Sequence, residues 1–240
     1  VSTDLRRRAN SSVNYRSKVT FVRRNPGTVA YLALLLAGSL VVFGILPDDA
    51  ADDALRSVST NLANVDWLFP LRLLASGLVA DPSAYTLVLV LAGVIGSMGW
   101  LERRFGAARA FGIFLAVHIG VTLLTLLVVV VGVRTGFYPP AVRDDLDYGI
   151  SYGAIGCAAA VTGFLPRWAR VPAALVVLFV PFVAAEWYGW VPDFATIGHV
   201  LSALAGFVTS AVLVRRRTVH SHQSSWGNAR TDTPVCTKTH

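Results

Sequence analysis

Two histidines and one serine carry most of the chemistry this 240-residue chain could perform. His220, His222 and His240 lie in a polar C-terminal stretch, so only His118 and His199 sit within apolar segments. An ionisable group in apolar surroundings is costly, and each one needs a reason. His199 lies in the run Asp193-Phe-Ala-Thr-Ile-Gly-His199-Val-Leu-Ser-Ala-Leu-Ala-Gly206, where Gly198, Ser202, Gly206 and Ser210 recur every four residues. Such a small-residue stripe lets a second helix approach closely. The obvious neighbour begins Gly149-Ile-Ser151-Tyr152-Gly153 and is small nearly all round.

Ser151 is four residues past Asp147, and His199 is six past Asp193. At 1.5 Å per residue, that sets them roughly 6 and 9 Å below their loop ends. A serine beside an imidazole is the minimum for nucleophilic catalysis: the base takes the hydroxyl proton as the oxygen attacks a carbonyl carbon. The free N–H groups of a first helical turn around Ser151 would suit an oxyanion. The plainer reading stands beside it, because small polar residues in tightly packed membrane helices ordinarily serve packing and local hydrogen bonds. His118 reads as a buried histidine bonded to a backbone carbonyl. Cys157 reads as a small packing residue. Glu186 falls at a segment end, within reach of water. The sequence shows no metal-ligand spacing and no phosphate loop, so neither metal nor cofactor is expected.

The elements that position these residues follow from composition. The chain is 54% hydrophobic and 15% charged, with a mean hydropathy of +0.57. An ordinary soluble domain is nearer a quarter charged. The apolar residues fall in six blocks: 28–46, 85–101, 107–133, 149–165, 171–187 and 194–214. About twenty apolar residues span the hydrocarbon core as a helix, and backbone groups in lipid must bond internally. The expected fold is all-α, a six-helix transmembrane bundle over residues 28–214. A basic tail (1–27) and a disordered tail (215–240) flank it.

The net charge of +7 is unevenly placed. Seventeen of the 21 basic residues lie in the two tails and the second and fourth connections, with Asp4, Glu102 and Asp232 as the acids there. The other side holds Arg56, Arg72, Arg134 and Arg143 against eleven acids, giving +14 against −7. The positive-inside bias puts both termini in the cytoplasm, in an inner (plasma) membrane. The basic clusters read as topology signals beside anionic lipid, so the expected partner is the bilayer and not nucleic acid. The first connection, nearly forty residues, contains the run Trp67–Val79, which reads as lying in the outer interface.

Taken together, these features resemble the rhomboid family. The resemblance covers about residues 28–214 and rests on six spans, a long first loop, Gly149-Ile-Ser151 opening the fourth span and Gly198-His199 in the sixth. Trp100-Leu-Glu102-Arg-Arg-Phe-Gly106-Ala-Ala-Arg109 is similar to that family's Leu-Glu-x-x-x-Gly-x-x-Arg junction. His199 with Ser202 and Gly206 is similar to its His-x-x-Gly-x-x-x-Gly, and Leu71-Arg72 sits where members often carry Trp-Arg.

The resemblance implies that Ser151 is the nucleophile and His199 the base of an intramembrane serine protease, with Gly149 and Tyr152 beside the oxyanion. Two departures weigh against it. Tyr152 stands where the family's second Gly of Gly-x-Ser-Gly belongs. Counting back from Glu102, the family's His-x-x-x-Asn falls on Thr86 and Val90, which offer no such donors. The alternative is a protease-dead rhomboid-like protein that binds transmembrane segments of client proteins. An unrelated six-span transporter would call for paired broken helices or inverted repeats, and the sequence has neither.

Overall fold

The computed structural model describes residues 20–229; residues 1–19 and 230–240, parts of the two expected tails, lie outside the described residues. The described chain is almost entirely helical. Helix α1 runs Pro26–Ile45, with Pro26 at its first position, where the missing N–H costs nothing. A long connection follows, holding α2 (Asp48–Val58) and α3 (Phe69–Leu78). Asp48 and Asp49 lie in the first turn of α2 and Arg56 in its last, so its charges oppose the helix dipole. Helix α4 spans Ala84–Phe105, and Gly106, at φ +88°, breaks it from α5 (Ala107–Thr135). Then come α6 (Ser151–Thr162), α7 (Arg167–Phe179), the small hairpin β1 (Trp187–Tyr188) and β2 (Val191–Pro192), and α8 (Phe194–Ala229).

Among the described residues, four helices are long and apolar enough to cross a membrane: Pro26–Ile45, Ala84–Phe105, Ala107–Thr135 and Phe194–Arg215. The count of six expected from the sequence is not reached on length alone. Helix α6 has 12 residues and α7 has 13, extended by a tight turn over Val180–Ala184. The reason for the short α6 lies in its surroundings. It packs against α4, α5 and α8, and most of its residues are buried, so protein rather than lipid covers it. Helix α8 runs past the expected membrane boundary at residue 214 as far as Ala229.

The core is built by close approach. A Cβ at Gly153 would stand 2.5 Å from the Phe114 ring, and one at Gly156 would stand 2.6 Å from Val117. Gly93 of α4 abuts Ala154 of α6 in the same way. Large apolar side chains instead point outward, among them Leu34, Leu36, Leu127, Val131 and Val208. An apolar exterior of this extent is what lipid covers. Trp67, Trp168 and Trp190 are 84%, 81% and 97% exposed, near element ends where an amphipathic ring suits an interface.

Helix α3, in the run read from its sequence as interfacial, is held by protein at its C-terminal end. Its Trp67 end is open, but Ser76, Gly77 and Val79 are buried. The Tyr31 hydroxyl donates to the Gly77 carbonyl at 2.7 Å, and the Ala80 N–H donates to Ser39 Oγ at 3.0 Å. Non-helical backbone is tolerated inside a membrane protein only where protein groups satisfy it, as here.

Candidate functional site

Helix α8 owes its start to Asp193. One carboxylate oxygen accepts the Thr196 N–H at 2.8 Å, and the other accepts the Thr196 hydroxyl at 2.7 Å and the Glu186 N–H at 3.0 Å. These bonds satisfy donors that a helix N-terminus leaves open. Gly189, at φ +66°, makes the preceding hairpin turn that delivers the chain to this cap. His199 follows one and a half turns later.

Helix α6 begins differently. Gly149 has φ +117°, which side-chain-bearing residues rarely adopt, and its N–H donates to the Ser76 carbonyl at 2.8 Å. Ser151 is the first helical residue, and no side chain caps this end. The N–H groups of the opening turn are therefore free of intrahelical partners.

The two helices pack backbone to backbone, as the small-residue stripe predicts. A Cβ on Gly206 would collide with the Gly156 carbonyl oxygen and come within 2.5 Å of Ala159 Cβ. A Cβ on Gly198 would come within 2.6 Å of the Tyr152 ring. Ser202 is fully buried, and Ser210 Oγ accepts the Gly163 N–H at 3.1 Å. The Tyr152 ring thus lies against Gly198, beside His199, while Ser151 precedes Tyr152 at the start of α6. Among the described residues no hydrogen bond joins Ser151 to His199.

The imidazole of His199 lies between two phenols. Its ring centroid is 5.4 Å from Tyr152, edge-on, and 6.0 Å from Tyr85 of α4. The Tyr152 hydroxyl donates to Asp147 Oδ1 at 3.2 Å. Asp147 also accepts the Thr60 hydroxyl on Oδ2 at 3.2 Å, and its N–H donates to Ser59 Oγ at 2.9 Å. Asp147 lies in the connection before α6, where burial pushes its carboxyl up to about 6 against the pull of the Thr60 and Tyr152 hydrogen bonds.

Thr86 and Val90 do not face this site. They line a groove of about 540 Å³ against Leu32, Leu36 and Ser39 of α1, and the Thr86 hydroxyl donates to Asp81 at 2.7 Å. The α4 residue whose ring approaches His199 is Tyr85 instead. The register differs because α4 is wound as a π-helix over Leu89–Met98. Its wider turn carries each residue to a different side from the one ordinary helical counting assigns.

The family model for rhomboid-like proteins matches residues 20–220. This chain belongs to the rhomboid-like family. No curated protein and no solved structure matches it.

Two elements of the rhomboid-like pattern have a plain structural use. Glu102 is buried and caps α1 from α4: Oε1 accepts the Gly27 N–H at 2.8 Å, and Oε2 accepts the Thr28 N–H and hydroxyl at 2.7 and 2.6 Å. Arg72 stitches the first connection, donating to the Ser57 carbonyl at 2.9 Å, the Asn64 carbonyl at 2.7 Å and the Asp66 carboxylate.

His118 takes the structural role read from the sequence. Its Nε2 is 3.1 Å from the Leu73 carbonyl and 3.2 Å from Ser76 Oγ. A carbonyl can only accept, so Nε2 carries the proton and is no base toward Ser76. Cys157 is fully buried among apolar neighbours. Among the described residues no group of three or more His, Cys, Asp or Glu could hold a metal ion. Sequence reasoning missed Asp147 and Tyr85, since no spacing rule connects either of them to His199.

Proposed function

We propose that this rhomboid-like membrane protein is a six-span intramembrane serine protease, with Ser151 as nucleophile and His199 as base. The observation that supports the reading is the close packing of α6 on α8, with the ring of Tyr152, the residue after Ser151 in the uncapped first turn, 5.4 Å from that of His199. In this reading Ser151 Oγ attacks the carbonyl carbon of a peptide bond in a membrane substrate, and its proton passes to His199. The oxyanion forms beside the free N–H groups of the first α6 turn. Collapse breaks the C–N bond, and the leaving amine takes the proton from His199. Water, deprotonated by His199, then cleaves the acyl ester, releasing the new carboxyl terminus and restoring the serine. The lipid bilayer and transmembrane proteins are the partners. Both termini lie in the cytoplasm and the acidic loops outside an inner (plasma) membrane, as the charge split supports.

A second reading has its own support. No Ser151–His199 hydrogen bond is formed among the described residues, and Thr86 and Val90 supply no donors to the site. Both facts favour a protease-dead protein that holds transmembrane segments of clients. A serine-reactive fluorophosphonate on the full chain in bilayers separates the two. The protease reading expects labelling that Ser151→Ala and His199→Ala each abolish, together with cleavage of a membrane substrate. Absence of labelling and cleavage, with Ser151→Ala keeping the cellular function, leaves client binding.

A further inference from the structure

We propose that the hydroxyl of Tyr85 donates a hydrogen bond to the carbonyl oxygen of the peptide bond under attack, supplying the oxyanion donor that positions 86 and 90 do not. The inference rests on the protease reading above. The Tyr85 hydroxyl oxygen is buried and, among the described residues, has no hydrogen-bond partner. His118 Nδ1 shares that condition, but its ring is held against α3 by Leu73 and Ser76. A buried hydroxyl without a partner is costly, and a phenylalanine would pack in its place without that cost. The exception needs a reason, and the reason lies beside it: the Tyr85 ring is 6.0 Å from His199.

The facing elements agree. Tyr85 opens the same helix, α4, whose Gly93 abuts Ala154 of α6. Ala154 is three residues past Ser151 and shares its helix face. Tyr85, Ser151 and His199 thus come from three helices to the same end of the bundle. Tyr152 is not an alternative donor in this arrangement, because its hydroxyl is committed to Asp147.

The chemistry asks only for a hydrogen bond. As Ser151 Oγ adds to the carbonyl carbon and its proton moves to His199, the carbonyl π pair moves onto oxygen. The Tyr85 O–H donates to that oxygen and keeps its own proton. The negative charge returns to the carbonyl as the C–N bond breaks. Removing one such donor typically lowers turnover about 100–1,000-fold.

The test uses the full chain in phospholipid vesicles, a fluorogenic peptide with one apolar span as substrate, and thermal unfolding in parallel. Tyr85→Phe should lower kcat at least about 100-fold with KM little changed, and its unfolding midpoint should stay level or rise. Thr86→Ala, on the α1 side, should retain wild-type turnover. A Tyr85→Phe protein that cleaves at the wild-type rate while Ser151→Ala is dead overturns the proposal and leaves the protease reading standing. A Tyr85→Phe protein that loses activity only together with its fold also overturns it. Equal inertness of wild type and Ser151→Ala removes the protease reading, and the donor role falls with it.

Discussion

The phenol of Tyr152 stands edge-on to the imidazole of His199, ring centroids 5.4 Å apart, in the residue directly after Ser151. Through its hydroxyl the same side chain reaches Asp147, which Ser59 and Thr60 hold from the first connection. A tyrosine that departs from the family pattern therefore ties the long loop to the wall of the site. It also occupies space beside His199 that a glycine would leave open.

Asp147 predicts a pH dependence of stability. Burial raises its carboxyl from an ordinary 3.8 to about 6 in the folded protein. Between these values the folded state holds a proton that the unfolded chain has released. Its contribution is full below about 3.8 and is lost as pH rises through about 6, by about 3 kcal/mol at 1.36 kcal/mol per unit. Thermal unfolding from pH 4 to 7 should show the midpoint falling in the wild type. In Asp147→Asn this component should be absent, and an unchanged slope would refute the assignment.

Gly206 is one of the tightest points of α8 against α6. A methyl group there meets the Gly156 carbonyl, which cannot move without shifting the helix. Gly206→Ala should cost about 1–3 kcal/mol through overpacking, and Gly206→Leu should separate the helices. Chemical unfolding in detergent measures the first. Loss of a disulfide between cysteines placed across the α6–α8 contact measures the second.

Glu102 should matter for stability at the opposite end of the bundle. It accepts three hydrogen bonds from Gly27 and Thr28, two of them on the orphan N–H groups of α1. Glu102→Gln keeps one acceptor and should lose about 1–2 kcal/mol. Glu102→Leu leaves all three donors unmatched and should lose more. The order of their unfolding midpoints is the check.

Orientation is open to direct measurement. On the proposed orientation, cysteines replacing Asp49 and Asp145 should react with an impermeant thiol reagent on intact cells. Protection of both positions would invert the assignment.

The sequence by itself determined that this chain is a helical membrane protein, where its long helices run, and that α6 and α8 touch. These are properties of single segments: an apolar block must satisfy its own backbone in lipid, and Gly198, Ser202 and Gly206 advertise close approach wherever they face. It also delivered the junction at Glu102, though not its use as a cap for α1, which depends on residues 74 and 75 positions away. Only the tertiary structure decided which side of α4 meets His199. The π-wound stretch turns Thr86 and Val90 toward α1 and brings Tyr85 inward, and counting at ordinary helical spacing cannot register that rotation. The depth of Ser76 and Gly77, the bond between Tyr152 and Asp147, and the orphaned Tyr85 hydroxyl arise the same way. Each depends on where several helices meet, and the pattern along any one of them carries no trace of it.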